Sequence, residues 1–172
     1  AVPIVNYMDV GATDKAILRI FPLRDSLFIF KEDGLFRISG EIAPFYLSLF
    51  DSSCICIAPD SVAVSNNLVY SFTRQGISTV SEAGVSTPPI SRPIDTEILK
   101  ISSDAYPNFA TATWGVGYES DNSYTVFTVQ EIDDERATIG YRYSNLTNSW
   151  TTIDKDSVCG IINSNDDKMY LG

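Results

Sequence analysis

The chain has 172 residues, 44% of them hydrophobic and 20% charged, and a formal net charge of −10 from 12 Lys and Arg against 22 Asp and Glu. That length can supply one ordinary domain with a sizeable core. A surface this acidic repels nucleic acid and argues against sequence-specific DNA or RNA binding, and the absence of histidine excludes Ser-His-Asp and Cys-His catalysis and histidine-ligated zinc.

Residues 1–16 read as irregular or partly extended. The opening AVPIVNYMDVG has no basic segment ahead of an apolar stretch, so it does not read as a signal peptide. No run of about 18 apolar residues occurs, so no membrane-spanning helix is expected. Ile17–Leu23 is the first predicted strand, closed by a turn at Arg24-Asp25-Ser26. Next comes LFIFKEDGLFRISG, residues 27–40, which reads as a hairpin of Leu27–Lys31 and Leu35–Ser39 turning at Asp33-Gly34. Four consecutive apolar residues, Leu27 to Phe30, suit a strand covered on both faces.

The connector Glu41 to Asp51 admits either one helical turn after Pro44 or a short strand. Ile55–Ala58 and Val62–Val64 are two short extended pieces, and Asn66-Asn67 is a turn. The hairpin then returns as LVYSFTRQGISTVS, Leu68–Phe72 and Ile77–Ser81, turning at Gln75-Gly76. Glycine at both turns accepts positive φ without a Cβ clash. The two glycines lie 76 − 34 = 42 residues apart, which falls within the period of roughly 40–45 residues of β-propeller blades.

The proline-rich AGVSTPPISRP, residues 83–93, interrupts regular structure. Asp95 is placed as the N-cap of a short helix, Thr96–Ile101, with Ile98 and Leu99 facing inward. After a loop at Asp104–Asn108, four strands follow in succession: Ala110–Tyr118, Tyr124–Glu131, Ala137–Tyr143 and Trp150–Ile153. Their turns are rich in Asp, Asn, Ser and Glu, and four antiparallel strands of this length make one blade. Val158–Ile162 and Lys168–Leu171, around a turn at Asn163–Asp167, begin another. The fold class expected is all-β: four-stranded antiparallel meander repeats, or propeller-like blades, at about 17–40, 55–82 and 109–154, with an incomplete one at 158–172. Such a partial propeller is not expected to close into a ring by itself, because its end sheets need covering.

Two segments carry a family resemblance. LRIFPLRDSLFIFKEDGLFRISGE, residues 18–41, resembles a stretch common in structural tail proteins of short-tailed bacteriophages. IGYRYSNLTNSWTTID, residues 139–154, resembles the tyrosine-turn-tryptophan hairpin that closes propeller blades in the same proteins. Residues 47–85 fit between them in the expected order. The best-known relatives form the tail tube nozzle, a ring of identical subunits bearing β-propeller domains, each several times longer than this chain. The resemblance implies a structural, non-enzymatic virion protein. It would form homo-oligomers, contact other phage tail proteins and help surround the DNA passage, where an acidic wall would keep DNA from adhering. A receptor- or glycan-binding propeller module is the alternative, and a propeller glycosidase the third reading.

The residues nominate no catalytic, cofactor or metal site. The acidic turns Asp121-Asn122, Asp133-Asp134-Glu135 and Asn165-Asp166-Asp167 offer oxygen ligands for Ca²⁺. None matches an EF-hand loop, and solvated turns are the expectation. Paired carboxylates would be needed for glycoside hydrolysis, but the sialidase S-x-D-x-G-x-T-W box is missing and the seven arginines suggest no carboxylate-binding trio. Trp114, Trp150, Tyr118, Tyr141 and Tyr143 have the chemistry to stack on sugars, and alternation along strands favours packing instead. Asn145-Leu146-Thr147 has the form of a glycosylation sequon and reads as a polar turn. Cys54, Cys56 and Cys159 are too few and too closely spaced for a disulfide framework, so they are expected reduced and mostly buried.

Overall fold

The computed structural model describes residues 7–172 apart from Glu41 and Asp104. Among these, fourteen strands form four antiparallel sheets of four, four, four and two strands. The first sheet holds β1 (Ile17–Leu23), β2 (Ser26–Lys31), β3 (Gly34–Ser39) and β4 (Tyr46–Asp51). The second holds β5 (Cys56–Ser65), β6 (Leu68–Thr73), β7 (Gly76–Ser81) and β8 (Gly84–Val85). The third holds β9 (Trp114–Tyr118), β10 (Ser123–Thr128), β11 (Ile139–Ser144) and β12 (Ser149–Ile153). β13 (Gly160–Asn163) and β14 (Lys168–Leu171) make the fourth. In every sheet, strands adjacent in sequence are adjacent in space, so each is an up-and-down meander.

The repeated glycine hairpin is real and in register. Lys31 pairs with Gly34, and Thr73 with Gly76. Both glycines open the third strand of their sheet, with φ of +140° and +119°. The two-residue loops are therefore Glu32-Asp33 and Arg74-Gln75, one position earlier than the sequence suggests. A Cβ at Gly34 would come within 2.9 Å of the Asp51 carbonyl oxygen in β4, so the fourth strand reinforces the need for glycine.

Side-chain alternation then stacks the sheets. Phe28, Phe30 and Leu35 face the second sheet and meet Val69 and Val80. From the opposite face of β6, Tyr70 and Phe72 meet Tyr124 and Val126 of the third sheet. Phe127, on the far face of β10, meets Trp114 and Met169 toward the fourth. Each fully buried aromatic or aliphatic side chain contributes roughly 1.5–3 kcal/mol by leaving water. The apolar run in β2 is covered on both faces, as expected of it. Ile29 points away from the second sheet and is still only 2% exposed.

That outer cover comes partly from the segment before β1. The buried Lys31 ammonium donates to the carbonyls of Val10 (2.5 Å) and Ala12 (2.6 Å) and lies 5.8 Å from the Phe36 ring centroid. Gly11 sits so close to Phe36 that an added Cβ would be 2.5 Å from its Cζ. The expected irregular N-terminal stretch is irregular over residues 7–16; residues 1–6 lie outside the described residues.

The first strand of each sheet lies against the first strand of the next: β1 on β5, β5 on β9, β9 on β13. The β5–β9 approach is especially close. A Cβ on Gly115 would lie 2.5 Å from the Ser61 carbonyl oxygen, and one on Gly117 would overlap the Val64 carbonyl. Alternating glycines in β9 thus let two backbones meet where side chains would hold them apart.

Several expectations are corrected. Of the two readings of the connector 41–51, the strand holds: Tyr46–Asp51 pairs with β3, and the first sheet extends to Asp51 rather than ending at residue 40. The two pieces at 55–64 are one strand, β5, interrupted by register shifts between Cys56 and Ala63. The second sheet runs to Val85. After a 3-10 turn at Arg92–Ile94, helix α1 spans Asp95–Ile101. Asp95 is its first residue and not its N-cap: its carboxylate accepts from the Ser91 hydroxyl and pairs with Arg92. Ile98 faces inward as expected, but Leu99 is 44% exposed and Ile101 takes the second buried position, as a three-residue helical step requires. Residues 110–112, expected as the start of a strand, belong instead to helix α2 (Phe109–Ala112), which buries Phe109 against Phe72.

Candidate functional site

The second and third sheets touch most closely at β5 and β9 and are bridged further out by α1. Ile94, Glu97 and Ile101, at helical spacing, line one wall of a cleft, and Ile98 is held in the core between the sheets. The opposite wall is the face of the third sheet that bears Ile139 and Tyr141 on β11 and Trp150 and Thr152 on β12, where Tyr141 pairs directly with Thr152. Tyr106, Lys100, Gln130 and Thr151 complete the lining of a cavity of about 410 Å³. The Trp150 indole N–H donates to the Ile90 carbonyl at 2.9 Å, which fixes the ring. Burial, and then the Glu97 charge, push the Tyr141 phenol above its ordinary pKa, so it is a neutral hydroxyl at physiological pH.

The aromatic residues nominated from sequence divide between packing and cleft. Trp114 stacks on Phe127 with centroids 4.4 Å apart and donates to the Ser157 carbonyl. Tyr143 is buried against its cross-strand partner Trp150, at 5.1 Å, and donates to Asn148. Tyr118 donates to the Asp167 carbonyl in the turn between β13 and β14. Tyr141 and Trp150 alone among the five reach the cleft. Tyr106, Glu97, Lys100 and Gln130 carry no mark in the sequence; the available signal is the 94, 97, 101 spacing from the 3-10 turn into α1.

The acidic turns are occupied with local structure. Asp121 pairs with Arg142, and Asn122 takes a φ of +51°. The Asp134 carboxylate accepts from the backbone N–H of Gln130 and Glu131 and from the Thr138 hydroxyl, at 2.7–2.8 Å. Burial pushes its pKa up, but these hydrogen bonds outweigh that and hold it below the usual carboxylate range. Asp166 accepts from the Tyr170 hydroxyl, and Asp167 from Ser120. Among the described residues no three His, Cys, Asp or Glu side chains converge as a metal site would require. The sequon residue Asn145 accepts from the Tyr70 hydroxyl at 2.6 Å.

Polar pins join neighbouring sheets. Arg37 of β3 pairs with Glu82, at 2.6 Å, and donates to Ser26, which itself donates to Glu82. Tyr70 and Tyr124 stack face to face, 4.6 Å apart and 10° from parallel, and Tyr124 donates to the Ser61 carbonyl at 2.7 Å. Burial pushes the Tyr70 phenol up to about 12 and raises Tyr124 further. The cysteines are free, with Cys54 and Cys56 buried and Cys159 exposed.

Apolar side chains remain open at both ends of the stack. Ile20, Ile29, Phe36 and Leu49 form one cross-strand row on the outer face of the first sheet, and Ile20 and Leu49 are about half exposed. On the fourth sheet, Ile161 and Tyr170 pair directly and are both exposed. No helix among the described residues is long and apolar enough to cross a membrane. No protein-family model matches the chain, and no curated protein matches it significantly.

Proposed function

We propose that the chain is a run of β-propeller blades in a structural, non-enzymatic part of a bacteriophage tail, of the nozzle or tail-tube type. In this reading each meander is a blade and its first strand is the innermost. The observation that carries it is the succession β1, β5, β9, β13, each first strand lying against the next, because radial stacking of meanders produces that contact order. The resemblance of residues 18–41 and 139–154 to tail proteins points to the virion as the setting. The half-open apolar rows on the first and fourth sheets suit faces covered by further blades or by neighbouring subunits.

The work of such a protein is mechanical. It packs against copies of itself and against other tail proteins, and the charge of −10 suits a wall beside a DNA passage to which DNA must not adhere. Sedimentation and negative-stain microscopy of the purified chain test the reading. Self-association, with ring-shaped or arc-shaped particles, is the expected result. A stable monomer at tens of micromolar, or micromolar binding of duplex DNA that weakens steeply with salt, would overturn it.

A further inference from the structure

We propose that the cleft between α1 and the outer strands of the third sheet is a binding site for a neutral sugar, sized for a single pyranose ring at the end of a glycan. This rests on the chemistry of the cleft and is independent of the tail assignment. Its volume of about 410 Å³ lies in the lower part of the range of small-molecule sites. Two separate elements converge on it. Ile94, at the end of the 3-10 turn, with Glu97 and Ile101 of α1 supplies one wall, and the Tyr141–Thr152 pair with Trp150 supplies the other.

The lining combines two properties that a sugar ring needs. The half-buried Trp150 offers ring surface to its C–H faces, and the nearly buried Tyr106 and Tyr141 form the apolar floor beneath it. Glu97 accepts, Lys100 donates, and Gln130, Thr151 and Thr152 do both, which matches hydroxyl groups that each donate and accept. The charges of Glu97 and Lys100 are opposite, so the cleft presents no net sign to draw an anion or a cation. The site is also built in advance. Trp150 is held by its bond to the Ile90 carbonyl, and Tyr141 and Tyr106 are buried to 5% and 6% exposure, so little side-chain freedom is lost on binding.

The experiment is saturation-transfer NMR on the full chain with glucose, galactose, mannose, N-acetylglucosamine and rhamnose, each at about 10 mM, where a millimolar affinity registers. Titration of Glu97→Ala and Thr152→Val variants follows, with circular dichroism confirming their fold. Both substitutions fall on exposed side chains, so the fold should survive them. Saturable transfer from at least one neutral sugar, weakened about tenfold in each variant, is expected. No transfer from any of the five would overturn the proposal. Binding that both variants leave unchanged would place the sugar elsewhere and overturn it equally. So would binding confined to N-acetylneuraminic acid or to a short peptide tested in parallel, since either would mean that the cleft selects charge or backbone.

Discussion

Gly117→Ala is the most direct perturbation of the way the sheets stack. Gly117 lies in β9, opposite the backbone of β5, and an alanine Cβ there would overlap the Val64 carbonyl oxygen and lie 2.6 Å from its carbon. Its φ is not positive, so the substitution carries no intrinsic backbone strain. Alanine in place of a strand glycine would by itself stabilise by about 0.5–1 kcal/mol. Against that stands overpacking, at about 1–3 kcal/mol. It falls at the upper end here because the obstructing atoms are backbone, held by β5–β6 pairing at Val64↔Val69 and Ser65↔Leu68. The net expectation is a loss of about 1–2.5 kcal/mol, or roughly 2–10 °C in Tm for a chain of this size. Urea and thermal melts of the wild-type and variant chains read it. A variant as stable as the wild type, or more so, would mean that β9 and β5 do not meet backbone to backbone, and the stacking order inferred from them would fall.

Gly34→Val should cost about 1–3 kcal/mol through its positive φ and the Asp51 carbonyl, and Phe28→Ala or Phe30→Ala about 3–5 kcal/mol, since both are fully buried; denaturant melts check all three. Burial, then the nearby Asp51 charge, push the Cys54 thiol up to about 12, and burial does the same to the Tyr70 phenol. Folded pKa values above the unfolded ones mean that this stability is whole below about pH 9 and is lost as pH rises toward 12, so urea midpoints should fall steadily across that alkaline window; a flat profile would contradict the burial of both groups. The Asp134 pKa is instead depressed, so its contribution is present above the unfolded value near about 4 and lost as pH falls through the folded one; Asp134→Asn should flatten that part of the acid limb of stability. An alkylating reagent applied to the native chain should label Cys159 quickly and leave Cys54 and Cys56 until the chain is unfolded, as read by mass spectrometry of the peptides.

Most strands were legible because alternation and turn chemistry agree locally. Asn66-Asn67 turns with φ of +53° and +59°, as the dipeptide suggests, and the Gly34 and Gly76 hairpins land on equivalent positions. The edge strands were harder. β4 follows a proline and is half exposed, so its aromatics do not alternate as a buried strand's would, and β8 is only two residues long. Residues 110–112 look extended because they run into β9, yet Phe109 finds its burial by a helical turn against Phe72. Leu99 was misplaced because hydrophobicity alone does not say which side of a short helix meets the core. The cleft was legible by halves: Tyr141 and Trp150 drew notice as aromatics, but Glu97, Lys100 and Gln130 acquire meaning only when α1 is laid beside the third sheet. Gly115 and Gly117 were the missed signal, since two glycines alternating within one strand mark a backbone that something approaches closely.

The sheet-to-sheet contacts described here link sequence neighbours, through pins such as Arg37–Glu82, Tyr124–Ser61 and Tyr118–Asp167. Such a chain behaves thermodynamically as a short linear array, in which each unit's persistence depends on its own pairing and on the one or two couplings beside it. The couplings are unequal. The junction of the second and third sheets combines a tyrosine stack with interlocked backbones, whereas the hairpin at 160–171 has two short strands and, among the described residues, meets the rest chiefly through β9. Opening should therefore spread inward from the hairpin at 160–171, leaving the Tyr70–Tyr124 junction as the last structure to exchange its amide protons. A neighbour docking on that hairpin would raise the protection of every sheet behind it, so assembly would tighten the molecule along its length without altering a single contact in its middle.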